Sequence, residues 1–238
     1  MRSLNVLTSV PFLALMTLAS CGDISVTPGK TVTTTRSAQN FSRIDVSDGF
    51  DVEIAVGAVE ELRVEAPEGY QQYINTAVSG GRLRIWLQDN VSGNFSPRRI
   101  LLRVKSLEEI EASGGCGITM TDTLRGETFA IASSGGSRFT MPLAVGSVHC
   151  GASGGSVLKL SGTAGSLVIN NFSGGSRLRG FDLSAADVTV HASGGSNLEV
   201  RASDHLEVNA SGGSEIYYRG HPGMTINLSG GSRVIDTN

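Results

Sequence analysis

Four cations recur on a regular frame in the second half of the chain: Arg138, Lys159, Arg177 and Arg179. Each stands four or six residues past the start of a Ser-Gly-Gly-Ser tetrapeptide. Alternate residues of a strand share one face, so the four would form a basic stripe. Such a stripe on a flat β-face suits an acidic glycan or lipid phosphates. The plainer reading is a solvated face with cross-rung pairs such as Arg179–Glu199, which contribute little. Carboxylates raise a second possibility. Glycoside hydrolysis needs two of them about 5–10 Å apart, and Glu109 and Glu111 would lie about 7 Å apart on one strand face. No convergent partner accompanies them, Glu199, Glu207 and Glu215 are scattered, and the connectors are too short to build a cleft. A polysaccharide lyase or glycoside hydrolase is therefore the alternative, and a non-enzymatic protein the expectation. Asn171, His191, Asn209 and Asn227 form a third set, with His149 and Glu207 nearby. They read as a stabilising amide ladder or, less simply, a glycan strip. His149 and His191 fall in different columns two rungs apart, which suits no metal, and no cofactor is implied.

The elements that must position these residues follow from the tetrapeptide. Ser-Gly-Gly-Ser occupies 134–137, 153–156, 173–176, 193–196, 211–214 and 229–232, and Ser113-Gly114-Gly115-Cys116 is a seventh copy. Successive copies start 18 to 21 residues apart, the period of a solenoid in which each repeat is one turn of chain. Aligned on the first serine, the third residue before it is Ile110, Ile131, Cys150, Asn170, Val190, Val208 and Ile226. The fifth residue after it is Ile118, Phe139, Leu158, Leu178, Leu198, Ile216 and Val234. Apolar residues at every second position on both sides mark strands with one buried face. Each repeat reads as strand, Gly-Gly corner, strand and a variable connector such as Leu143–Ser147 or Ala202–Asp204. The fold class is all-β, a single-stranded parallel β-helix whose corners are Ser-Gly-Gly-Ser. Seven copies fit a corner device better than seven anion-binding nests.

Residues 1–20 have the build of an export signal. Arg2 is the early charge, and Val6–Ala19 is apolar but too short for a permanent span. The run Leu18-Ala19-Ser20-Cys21 has the pattern of a lipoprotein cleavage site, which would leave Cys21 acylated and membrane-tethered. Residues 21–40 read as a flexible Thr/Ser-rich tether. Residues 41–105 alternate like strands with less even periods and are expected to cap the regular repeats of 106–238.

The run Phe41-Ser42-Arg43-Ile44-Asp45-Val46, followed by Phe50-Asp51-Val52-Glu53-Ile54, resembles the opening of the head GIN domain family. Leu83-Arg84-Ile85 and Leu107–Gly115 resemble its middle signature, and the Ser-Gly-Gly ladder its remainder, over about residues 41–235. That family is described as the head of autotransporter adhesins. The resemblance implies a β-helical, exported protein and supplies no catalytic residues.

Composition agrees with this picture. Thirty-one glycines, one Trp and 17% charged residues suit a turn-rich β-solenoid. A net charge of −3 without aromatic–basic interleaving argues against nucleic acid as a partner. Cys116 and Cys150 are two rungs, about 9.6 Å, apart, beyond disulfide reach, so both are expected as buried free thiols. The expected partners are a membrane through the lipid, an envelope polysaccharide or protein, and a second copy at the C-terminal edge. The expected place is the cell envelope, at the outer membrane or the periplasmic side of the inner membrane.

Overall fold

The computed structural model describes residues 24–92 and 94–238. The expected export signal and Cys21 lie outside the described residues. The chain winds into a parallel β-solenoid whose turns stack in register, as the Ser-Gly-Gly-Ser period predicts. The coil has three faces. The first holds the residues before each corner, for example 129–133 over 148–152, and the second those after it, such as 138–141 over 157–160.

The third face corrects the sequence reading. The segments taken as variable connectors are themselves paired strand: Leu143 opposes Gly162, Gly162 opposes Leu183, and Ala185 opposes Ala202. One continuous strand such as Arg138–Ala152 therefore runs from one corner to the next. Leu124, Leu143, Leu183 and Ala202 point inward from this face and are buried, closing a three-sided core.

Corners stack as a column of their own. In each, two consecutive residues take positive φ, from Asp48 and Gly49 to Gly230 and Gly231. The first member is Ser47-Asp48-Gly49-Phe50, a corner the sequence disguises as an ordinary turn. Its rung, Arg43–Val46 with Asp51–Val56, pairs with Glu109–Ala112 and Gly117–Met120. The excursion between residues 57 and 105 then supplies a further rung on the other side, through Arg82–Leu87 and Arg99–Val104. Stacking order thus departs from chain order at this end. Residues 41–105 are part cap and part coil, where the sequence suggests only a cap.

The cap proper is antiparallel. Glu61–Pro67 lies against Arg99–Val104, and Thr31–Arg36 lies against Glu61–Pro67 in turn. The second pairing corrects the flexible tether, because residues 31–36 are strand. Arg36 donates through Nη2 to the Gln71 carbonyl at 2.7 Å and also bonds the Ile74 carbonyl, while Ala38 is buried. Thr-rich strands are ordinary when a neighbour completes their ladder.

Two details of the repeats depart from simple counting. Counting puts Asn170 in an apolar column, but it is exposed, because the strand Val157–Phe172 carries a β-bulge. Ile169 opposes Val190, Phe172 opposes Ala192, and Asn171 takes φ +55 between them. Leu167 and Ile169 fill the core positions instead. Cys116 and Cys150 are free and buried, as expected. Burial pushes the Cys150 thiol up to about 12.

In four of the Ser-Gly-Gly-Ser corners the fourth residue is buried and its side chain ties the turn, whereas the buried Ser176 Oγ has no partner among the described residues. Ser137, Ser156, Ser196 and Ser214 donate Oγ–H to the carbonyl three residues back at 2.8–3.0 Å. The Cys116 thiol makes the same contact with Ser113 at 3.1 Å. The glycines divide the remaining work. A Cβ on Gly154 would sit 3.0 Å from the backbone nitrogen of Gly135 one rung away, whereas one on Gly155 would meet nothing within 4 Å. Gly155 answers only to its φ of +79, but Gly154 answers to φ and to space. Gly155→Ala is expected to cost about 1–2 kcal/mol. Gly154→Ala is expected to cost more, because the rung beneath must move. Chemical denaturation of the two variants checks the order, and equal losses would remove the stacking contact from the account.

Candidate functional site

The second face carries the site. Its outward positions form two columns. The first runs Asp51, Gly117, Arg138, Val157, Arg177, Asn197 and Glu215. The second runs Glu53, Thr119, Thr140, Lys159, Arg179, Glu199 and Tyr217. Arg138, Lys159, Arg177 and Arg179 thus meet on three successive rungs, in the grouping the sequence suggested. The strands hold them there because Phe139, Leu158 and Leu178, between them in the alternation, are fully buried.

All four side chains are exposed, and among the described residues none of them makes an ion pair. Glu199 is the ladder neighbour of Arg179, but the cross-rung salt bridge expected of that pair is not formed. The contrast with the N-terminal rungs is sharp. There Arg82 pairs with Glu109 and Glu111, Arg84 with Asp45, and Arg99 with Glu53 at 2.6 Å. Around the four free cations lies a depression of about 300 Å³, lined also by Phe139, Thr140 and Val157.

A second depression of about 320 Å³ continues it toward the N-terminal end. Asp51, Glu53, Arg99, Gly117 and Thr119 line it, and Arg138 and Thr140 belong to both. Sequence reasoning missed this half. The signal was available in Ser47-Asp48-Gly49-Phe50, which sets Asp51 and Glu53 four and six residues past the start of a corner, like the cations.

The arrangement can hold an elongated polyanion by charge and hydroxyl contacts. Among the described residues no group of three or more His, Cys, Asp or Glu is disposed to hold a metal ion. The profile of a family described as "Putative auto-transporter adhesin, head GIN domain" matches residues 40–222. The chain belongs to the head GIN domain family.

Solved structures share this fold at low identity. A putative adhesin from Bacteroides fragilis superposes with a TM-score of 0.80 at 20% identity, over 90% of this chain and 97% of that one. A putative adhesin from Parabacteroides merdae gives 0.74 at 17%, over 91% and 100%. A putative lipid binding protein from Parabacteroides distasonis gives 0.71 at 16%, over 91% and 100%. No curated protein matches the sequence.

The first face of this head GIN domain accounts for the remaining candidates. Glu109 and Glu111 do have a convergent partner, Arg82, whose Nη2 meets Glu109 at 2.8 Å and whose Nη1 meets Glu111 at 3.0 Å. It arrives from the out-of-order rung, so sequence distance concealed it. The amide ladder forms only in part: Asn227 donates to Asn209 at 3.0 Å and Asn209 to Glu207 at 2.9 Å. Asn171 sits in the bulge instead. His149 contacts Ser147 through Nε2 at 3.2 Å.

Partial burial and a hydrogen bond with Glu111 raise the Glu109 pKa, and the Arg82 charge opposes the rise. Just above the ordinary carboxyl range the folded chain therefore keeps a proton that the unfolded chain has lost. Stability contributed by this group falls as pH climbs through that window. Removing the opposing cation widens the window. Arg82→Met is expected to cost about 1 kcal/mol near pH 7 and less near pH 4, where Glu109 takes up its proton. Denaturation at the two pH values checks the sign. A loss that is larger at the acid end would contradict the assignment.

Proposed function

We propose that this chain is a non-enzymatic binding module of the cell envelope, held to a membrane by lipid on Cys21, and that its second face binds an acidic polysaccharide. The observation that carries the reading is the set of four adjacent cations without carboxylate partners. Such charges attract a polyanion without first breaking internal pairs. The family description and the adhesin names of the structural neighbours support a surface role. Glu109 and Glu111, the pair the sequence offers at hydrolase spacing, are bridged by Arg82, which favours binding over hydrolysis there. The name of the Parabacteroides distasonis neighbour keeps anionic lipid headgroups as a second source of the same charge chemistry.

The full chain in detergent, passed over immobilised polygalacturonate, dextran and phosphatidylglycerol vesicles, separates these readings. Retention on polygalacturonate but not dextran is expected, weakening with salt. At least a tenfold loss is expected in Arg177→Ala/Arg179→Ala, with no new reducing ends. New reducing ends would make it an enzyme. Retention on vesicles alone would move the ligand to lipid.

We also propose that the coil pairs with a second copy through Gly223–Leu228. Every residue of that strand is exposed, including Met224, Ile226 and Leu228 at about 40%, although they continue the buried column of Leu206, Val208 and Ala210. Antiparallel self-pairing centred on Ile226 would set Met224 opposite Leu228 and complete the edge ladder. Light scattering is expected to give a dimer that Ile226→Lys converts to monomer. A wild-type monomer at high concentration would end this idea.

A further inference from the structure

The charges of the second face alternate along the solenoid axis, and this pattern narrows the ligand class. Resting on the proposal that this face binds polysaccharide, we propose that the ligand is zwitterionic: a glycan carrying both acidic groups and free amines.

The argument begins with the two carboxylates that bound the cationic band. Asp51 stands two rungs before Arg138, and Glu199 one rung after Arg179. Among the described residues neither makes an ion pair. Arg99, which opposes Asp51 on the adjoining rung, is paired with Glu53 instead, and Arg179, the ladder neighbour of Glu199, forms no ion pair with it. Rungs are spaced about 4.8 Å, so the negative–positive–negative sequence extends over five intervals, about 24 Å.

Local structure directs Asp51 into the groove. A Cβ at Gly117 would lie 2.6 Å from Asp51 Oδ1, so the carboxylate lies across the next rung, in the space that only glycine leaves open. That space is the depression shared with Arg138 and Thr140. A uniform polyanion crossing the band would bring its charges against Asp51 at one end and Glu199 at the other. A chain with amines between its acids would place an ammonium at each carboxylate and its acids over Arg138, Lys159, Arg177 and Arg179. Like charges facing each other across an interface are selective as well as unfavourable, so the two carboxylates act as specificity determinants.

Heparosan and its N-deacetylated form make the matched probe. Both have the same backbone and uronate spacing, and deacetylation only converts amides to amines. Charge count alone would weaken binding of the deacetylated polymer, because its net negative charge is smaller. The full chain in detergent is expected to bind it at least fivefold more tightly than heparosan. In Asp51→Asn/Glu199→Gln that ratio is expected to collapse toward one, with heparosan binding unchanged or raised. Both substitutions conserve shape at solvent-reaching positions, so folding is retained. Arg177→Ala/Arg179→Ala is expected to lose both polymers. Wild-type binding of the two polymers with equal strength, or of heparosan more tightly, would overturn the zwitterion proposal and leave the acidic-polysaccharide reading standing. A ratio that persists in the double carboxylate variant would equally remove Asp51 and Glu199 from it. Absence of binding to both polymers would defeat the polysaccharide reading, and this inference with it.

Discussion

Everything in this fold depends on how closely one turn of backbone can rest on the next at the corner. From Gly135 to Gly230 the first glycine of each corner pair packs against the glycine nitrogen one rung away, at a distance that a Cβ would bring to about 3 Å. Positive φ at two successive residues turns the chain within that space. Ladder bonds bracket the turn, such as Ser153 N–H to the Ser133 carbonyl at 2.9 Å and Val157 N–H to the Ser137 carbonyl at 2.9 Å. Register is consequently fixed at the corner and propagates outward along both strands. A side chain four residues past one corner lies above its counterpart four past the last. The charge columns of the second face inherit their order from this stacking, and no contact among the charges themselves is needed to hold it.

The cost of the device is generality. A corner built from Ser, Gly and Gly carries no large side chain, so the ridge has little with which to discriminate a ligand. Recognition must come from the flat faces, where position along the axis is the variable. Within the strands the buried columns are apolar, chiefly Leu, Val, Ile and Phe with Ala predominant just before the corner, which places the variable charge on the outward residues. That separation explains how relatives at 16–20% identity keep one fold.

Legibility in the sequence follows the same division. The period of the tetrapeptide and the alternation around it were enough to place the coil, its two strands per corner and the cations on one face. Where the chain breaks period, counting failed for identifiable reasons. The Asn170–Asn171 bulge adds one residue and shifts an apolar column, which no composition rule reveals. The third face was hidden because its ladder column Leu143, Gly162 and Leu183 varies in size and includes an exposed glycine at φ +104. The Thr31–Arg36 strand looked like a tether because its partner, Glu61–Pro67, is antiparallel and distant in sequence. Asp51 was overlooked as a site residue because its corner is spelled Ser-Asp-Gly-Phe and stands 66 residues before the next one.

The out-of-order rung has a consequence for how charge is distributed. By inserting Arg82–Leu87 and Arg99–Val104 beyond Arg43–Val46 and Asp51–Val56, the chain brings Arg82, Arg84 and Arg99 beside acidic residues that the regular repeat would have left alone. The N-terminal end is thereby neutralised in pairs, a favourable condition for rungs that also support an antiparallel cap. The regular repeats from Arg138 to Arg179 have no such excursion, and these four cations form no ion pair among the described residues. Pairing needs a partner on an adjoining rung, and the outward positions beside Arg138, Lys159, Arg177 and Arg179 include Gly117, Thr119, Thr140, Val157 and Asn197, with a single carboxylate, Glu199, which Arg179 does not engage. The polarity of the molecule, with internal pairs at one end and available charge in the middle, thus arises from topology as much as from composition. A binding strip results where the solenoid is most regular, because regularity there aligns like charges that a less ordered surface would disperse.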